Sequence, residues 1–172
     1  MEDLSYNPAQ SACFTGHRSM TEDELRYAVA AITRLVPNLA AKGIVHYYAG
    51  GALGFDLAAA VTILNLKQSL PQLSLTLALP CEGHMDKWRR SDRALFSRVM
   101  ERADRTVYVS ETYYRGCMQA RNRYMVDRSA LCIAYLTASR GGTYNTVSYA
   151  EKKGIPVIRL AGDAKGEQLR FL

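Results

Sequence analysis

Cysteine is scarce in this chain. The four present, Cys13, Cys81, Cys117 and Cys132, form no CxxC pair and no zinc-ligand spacing. A zinc site of the usual pattern is thereby excluded, and no metal ligand set is expected. No apolar run approaches the ~20 residues needed to cross a bilayer, so no membrane association through a spanning helix is expected. The opening MEDLSYNPAQ has neither a basic n-region nor an apolar h-region, so no signal peptide is expected. Free thiols without an export signal suit a reducing compartment, and the expected localisation is cytoplasmic. Internal repeats, linkers and low-complexity tracts are also missing, which leaves no candidate domain boundary.

What is present is ordinary globular material. The chain has 172 residues, 48% hydrophobic and 22% charged. That length and composition suit one domain, 1–172, able to bury a core without metals or disulfides. The core is expected over about 12–160, with short peripheral segments at either end.

Charge is unevenly placed. The net charge is +6, yet 86–128 alone carries eleven Lys/Arg against six Asp/Glu. A local surplus of this kind suits a phosphate-bearing partner, either a nucleotide or a nucleic acid, or else forms a solvated helical face.

Short apolar runs alternate with longer amphipathic ones. Strands are expected at 12–15, 44–48, 73–79, 106–109, 131–136 and 156–160. The first helix is expected over 21–36, with Thr21 and Glu24 as a capping box and Pro37 at its end. A second should run from Leu57, capped by Asp56. A third should span 86–103, with Trp88, Leu95, Val99 and Ala103 along its inner stripe. The last two fall at 118–127 and 144–153. Alternation of this length implies an α/β fold: a Rossmann-like, doubly wound, mainly parallel sheet of about six strands with helices on both faces.

Such a sheet brings the unusual residues together, because the segments after its parallel strands all emerge at the carboxyl edge, where open α/β sheets bind ligands. Gly16, His17 and Arg18 follow the first strand. Gly50, Gly51, Gly54 and Asp56 follow the second. Cys81, Glu82 and His84 follow the third, Glu111 the fourth, and Gly141, Gly142, Thr143, Asn145 and Thr146 the fifth. Glycines at a helix entrance let backbone approach a ligand, and the helix N-terminus offers free N–H groups to an anion. Arg18 could fork onto a phosphate. His17 could act as acid or base, stack on a base, or be structural. Asp56 and Glu82 could hold ribose hydroxyls, although Asp56 could equally be only a cap. Glu82 and Glu111 are the carboxylates available for catalysis, and Cys81 is a possible nucleophile. Arg121, Asn122 and Arg123 open a helix, so they either reach the crevice or form a solvated face.

Five elements in order carry a family likeness: FTGHR (14–18), GGALGFD (50–56), LPCEGH followed by Lys87-Trp88, RNRYMVDRS (121–129) and GGTYNTVSYA (141–150). Over roughly 12–160 the chain resembles the YpsA-like family of the SLOG superfamily. That superfamily also holds the DNA-processing protein DprA (Smf) and the LOG cytokinin-activating phosphoribohydrolases. GGALGFD is similar to the DprA GGARGID-like loop, and GGTYNT to the GGxGT loop of LOG enzymes. The resemblance implies a Rossmann-like domain that binds a nucleotide or nucleotide-derived ligand at its carboxyl edge, with self-association permitted. In LOG enzymes a glutamate three residues after the GGxGT threonine takes part in N-glycosidic cleavage. With Thr146 matched to that threonine, its place is taken by Tyr149, and Glu151 lies on another helical face.

Three readings follow. The first is a nucleotide-ligand binding or sensing protein without turnover and with no required cofactor. The second is an enzyme cleaving a nucleotide's N-glycosidic bond, as a LOG-like phosphoribohydrolase, or its phosphate bond, using Glu82 or Glu111 as the carboxylate with Arg18 supporting charge. The third is single-stranded DNA binding in the manner of DprA, through the basic 86–128 stretch.

Overall fold

The computed structural model describes residues 6–160. The terminal segments expected to be peripheral lie, from residue 161 and before residue 6, outside the described residues. A single 3-10 turn at Pro8–Gln10 precedes six strands and five helices in strict alternation: β1 Ser11–Gly16, α1 Glu22–Ala41, β2 His46–Ala49, α2 Phe55–Leu66, β3 Ser74–Leu79, α3 Arg90–Arg102, β4 Arg105–Tyr108, α4 Cys117–Asp127, β5 Leu131–Tyr135, α5 Gly142–Lys152 and β6 Val157–Arg159. All neighbouring strands pair in parallel. The sheet order is β4-β3-β2-β1-β5-β6.

That order follows from chain handedness. From β1 to β4 the strands step one way and α1, α2 and α3 cover one face. The chain then returns to place β5 on the other side of β1. Right-handed crossovers put α4 and α5 on the opposite face. The direction of winding therefore reverses between β1 and β5, and an open α/β sheet has its crevice at that point.

The two faces of the sheet differ in bulk. Alternation along the strands sends Phe14, Tyr47, Leu75, Leu77, Leu79 and Ile133 toward α1–α3. It sends Cys13, Ala78, Cys132 and Ala134, with Tyr48, toward α4 and α5. Small side chains on that second face let α4 and α5 lie close to the sheet. Both Cys13 and Cys132 are buried, as expected of strand thiols.

Several local expectations are corrected. Pro37 does not end the first helix, which continues to Ala41 with Pro37 inside it. The apolar stripe runs through Leu35, Val36 and Leu39, all buried, while Thr33 and Pro37 are exposed. Water can therefore take the Thr33 carbonyl that proline leaves unbonded. The Thr21 capping box is present, with Glu24 N–H donating to Thr21 Oγ1 at 3.1 Å and Thr21 N–H to Glu24 Oε2 at 2.8 Å. The third helix starts at Arg90, not Asp86, because turns closed by Gly83 and Met85 carbonyls occupy 83–88. Its inner stripe holds Phe96 and Val99, and Leu95 is 44% exposed. Edge-to-face contacts of Phe96 with His84 and Trp88 set that phase. Asp56 is not the cap of α2. Gly54 takes the cap position at φ +77, and Asp56 lies within the first turn. Finally, α5 begins two residues early, at Gly142, since Asn145 N–H already donates to the Gly141 carbonyl at 2.9 Å.

Candidate functional site

At the carboxyl edge, between the ends of β1 and β5, lies an open crevice of about 370 Å³. The β1 end contributes Thr15, Gly16, His17 and Arg18, and the β5 loop contributes Arg140, Gly141, Gly142 and Thr143. Asp56 enters from α2 and Arg121, Asn122 and Met118 from α4. Positions 118, 121 and 122 share one face of a helix, so the first turns of α4 aim all three inward.

Arg121 is the central cation. It is 4% exposed, and its guanidinium lies across the backbone of Gly50, where a Cβ would stand 2.7 Å from one terminal nitrogen. Its Nε donates to Asn122 Oδ1 at 2.8 Å. One of its terminal nitrogens lies 4.0 Å from Met118 Sδ, and one of Arg18 lies 3.9 Å from the same sulfur. The thioether thus spaces two guanidiniums. Burial pushes the Arg121 pKa down, Asp56 opposes this, and Arg18 adds to it. Among the described residues, none of Arg18, Arg121 and Arg140 has a carboxylate within ion-pair distance.

Asp56 is the buried anion of the site. It is 6% exposed, and among the described residues its Oδ1 has no hydrogen-bond partner. Burial pushes its carboxyl up to about 6, against the pull of Arg121, the Gly50 and Ala52 amides, and Arg18. A buried carboxylate oxygen without a donor costs free energy that a ligand hydroxyl or amino group would recover.

The two glycine loops behave differently. Gly50, Gly51 and Gly54 stand behind the crevice wall and not in it. A Cβ on Gly51 would meet Leu79 at 2.3 Å, and one on Gly54 would meet the Arg18 carbonyl oxygen at 2.3 Å. The His17 carbonyl accepts from Phe55 N–H at 3.1 Å, so backbone of the β1 loop plugs the N-terminus of α2. His84 braces the same loop, its Nε2 lying 3.2 Å from the Gly51 carbonyl. At the other loop, among the described residues, Cβ atoms on Gly141 and Gly142 would meet nothing within 4 Å, and α5 has no side-chain cap. Its first-turn amides are therefore free to face an anion.

The remaining sequence candidates are placed as follows. His17 tethers the site: its Nε2 accepts from Thr137 N–H at 2.9 Å, which puts the ring proton on Nδ1, and its ring meets Tyr135 edge-on. Glu82 and Glu111 are exposed and do not line the crevice. Cys81 is buried and its thiol is pushed up by burial and by Cys117, the opposite of an activated nucleophile. Thr146 is buried and its hydroxyl donates to the Gly142 carbonyl at 2.8 Å. With Asn145 it lies in a neighbouring groove between α4 and α5. Tyr149, at the LOG glutamate position, donates to Asp127 Oδ1 at 2.8 Å, and Lys153 donates to the same oxygen. The basic 86–128 stretch is divided by the fold, with α3 on one face and α4 on the other, and only Arg121 of its cations lines the crevice. Arg140 and Met118 were missed by sequence reasoning. A cation directly before a glycine helix entrance was the available signal for Arg140, whereas Met118 reads as core filler. Among the described residues no three His, Cys, Asp or Glu side chains gather as a metal site, and no helix is long and apolar enough to cross a membrane.

An all-parallel, doubly wound sheet with its crevice at the winding reversal is a Rossmann-like α/β domain. Comparison with known proteins narrows this: the family model YpsA, described as the YspA SLOG family, matches residues 12–156, and the chain belongs to that family. The SPbeta prophage-derived protein YoqJ of Bacillus subtilis is 30% identical over 118 residues, covering 62% of this chain and 69% of its own. A UPF0398 protein of Bacillus velezensis is 24% identical over 165 residues, covering 92% and 88%. Among solved structures, DNA processing protein A of Helicobacter pylori, described with a single-stranded DNA binding mode, superposes with TM-score 0.63 at 20% identity, covering 92% of this chain and 68% of that one. DprA of Streptococcus pneumoniae gives 0.65 at 16% identity, covering 95% and 55%. These likenesses establish the fold.

Proposed function

We propose that the crevice binds a nucleotide or nucleotide-derived ligand, with its phosphate at the N-terminus of α5 and against Arg18, Arg121 and Arg140. The observation that carries this is the pair of guanidiniums sharing the Met118 sulfur, outside ion-pair distance of any described carboxylate, opposite an uncapped helix N-terminus. Two like charges held together beside a cavity repel each other; Asp56, the single anion nearby among the described residues, answers one charge of the two, and a ligand anion would answer the other. Asp56 supplies an acceptor for a sugar hydroxyl or base amino group. The volume suits a ligand of mononucleotide size.

Binding without turnover is the better-supported form of this reading. The LOG glutamate position is held by Tyr149, whose hydroxyl is bonded to Asp127, and neither Glu82 nor Glu111 lines the crevice. Calorimetry with AMP, ADP-ribose, NAD and cyclic dinucleotides tests the reading directly. A ligand at ~100 times its Kd stabilises by about 2.7 kcal/mol, a rise of roughly 5–10 °C in Tm for this size. Arg18→Ala and Arg121→Lys should each weaken binding about tenfold, lysine because it cannot fork onto phosphate. Undiminished affinity in both variants would remove the guanidinium pair from the site.

The cytoplasm is the compartment this reading places it in, and a nucleic-acid partner is its second form. The specific observation favouring the second form is the fold shared with the Helicobacter pylori protein described as binding single-stranded DNA. Binding to single strands should then fall by orders of magnitude between low and moderate salt. Absent or salt-insensitive binding rejects it.

A further inference from the structure

The crevice has neighbours beyond the α5 N-terminus. A small pocket of about 40 Å³, the waist, adjoins it across Asn122 and Gly142. On the far side of the waist, between α4 and α5, lies an outer groove of about 440 Å³. Waist and crevice share Asn122 and Gly142, and waist and groove share Gln119, Arg123, Asn145 and Tyr149. The N-terminus of α5 therefore stands between two chambers of similar size.

The outer chamber is polar and cationic. Arg123 lies over the Tyr149 ring at 5.3 Å, and among the described residues neither Arg123 nor Lys152 has an ion-pair partner. Nearby exposed cations on the same face do find carboxylates: Lys153 pairs with Asp127 and Arg159 with Glu151. Tyr144 is 41% exposed at the groove wall, an aromatic face available to a base. The inner chamber has its own unmet acceptor in Asp56 Oδ1.

We propose that the site takes a ligand of two nucleoside units joined through phosphate: one unit beside Asp56, the linking phosphate at the α5 N-terminus, and the second unit along Tyr144, Arg123 and Lys152. This rests on the nucleotide reading above and sharpens it. A mononucleotide fills one chamber, and a two-unit ligand spans both. Pyrophosphate-linked and phosphodiester-linked molecules share that chemistry.

The test is calorimetric titration of the full chain with three probes: AMP, diadenosine diphosphate, and the 5′-phosphorylated adenylyl-adenosine dinucleotide. At least one two-unit probe should bind about tenfold or more tighter than AMP, and which one does identifies the linkage. In the Arg123→Ala/Lys152→Ala double variant that gain should vanish while AMP affinity stays within about twofold. Tyr144→Ala should remove part of it. All three side chains are exposed, so an unchanged Tm certifies the fold. If AMP binds and neither two-unit probe binds more tightly, the inference is overturned while the nucleotide reading stands. If the gain survives in the double variant, the second unit lies elsewhere and the inference is likewise overturned. If no probe binds, the nucleotide reading itself falls.

Discussion

The two glycine-rich helix entrances look alike in sequence and do opposite jobs. At 50–54 glycine is needed because other atoms are already there: Leu79, Arg121 and the β1-loop carbonyls occupy the space a side chain would need. At 141–142 the space is empty. One loop is a packed floor and the other an open cradle. A glycine pair before a helix therefore signals close backbone approach without saying whether the approaching group is protein or ligand.

The comparison is broken most severely at Gly54. It combines φ +77 and ψ −124 with a Cβ position 2.3 Å from the Arg18 carbonyl oxygen. Neither backbone can yield without opening the β1 loop. Gly54→Ala should cost about 3–5 kcal/mol, as positive-φ strain and overpacking add. Thermal unfolding should show Tm lowered by roughly 10 °C or more, or no folded protein. A Tm within a few degrees of the parent would show that the floor is not packed as described.

Asp56 gives the next largest effect, because it joins floor to cradle. Its carboxyl titrates at about 6 in the fold, raised from 3.8 by burial against the opposing pull of Arg121, the Gly50 and Ala52 amides, and Arg18. A raised folded value means the stabilisation is fully present below pH 3.8 and is lost as pH rises through 6. Between pH 5 and 7.5 this group should remove about 1.4 kcal/mol. His46 and His84, both held below their usual range by burial, act in the other direction, losing stability as pH falls. The signal is therefore the difference between parent and Asp56→Asn in urea unfolding at the two pH values. Asn should abolish that part of the pH dependence and lower nucleotide affinity if Oδ1 accepts from the ligand. Parallel pH profiles would show that Asp56 is not held as a strained anion.

How far the sequence revealed this follows from the kind of contact involved. Element order and the doubly wound sheet were legible because apolar runs and amphipathic stripes are local patterns. The convergence of Arg18, Asp56, Arg121 and Gly142 on one edge was legible because a parallel sheet sends every such loop to the same side. What stayed hidden depends on three-dimensional neighbours. The plug of His17 and Arg18 carbonyls in front of α2 joins segments about forty residues apart. Met118 between two guanidiniums has no local signature. The Pro37 and Leu95 errors share a cause: local rules assigned a helix end and an inward face that tertiary packing overrode.

The smallest stability effect should come at the cradle, and it is the sharpest test of the comparison. Gly142 opens α5 without positive φ, and its Cβ would meet nothing within 4 Å. Gly142→Ala should therefore change stability by under about 1 kcal/mol, if anything upward, since alanine is the better helix residue. Yet Gly142 lines both the crevice and the waist beyond it. A methyl group there enters the space assigned to phosphate, and nucleotide affinity should drop about tenfold or more. Gly54→Ala would destabilise the protein together with its site, whereas Gly142→Ala would empty the site of a protein that still melts where it did. Parent-like stability together with parent-like affinity would move the phosphate away from α5 and leave the guanidinium pair to hold it alone.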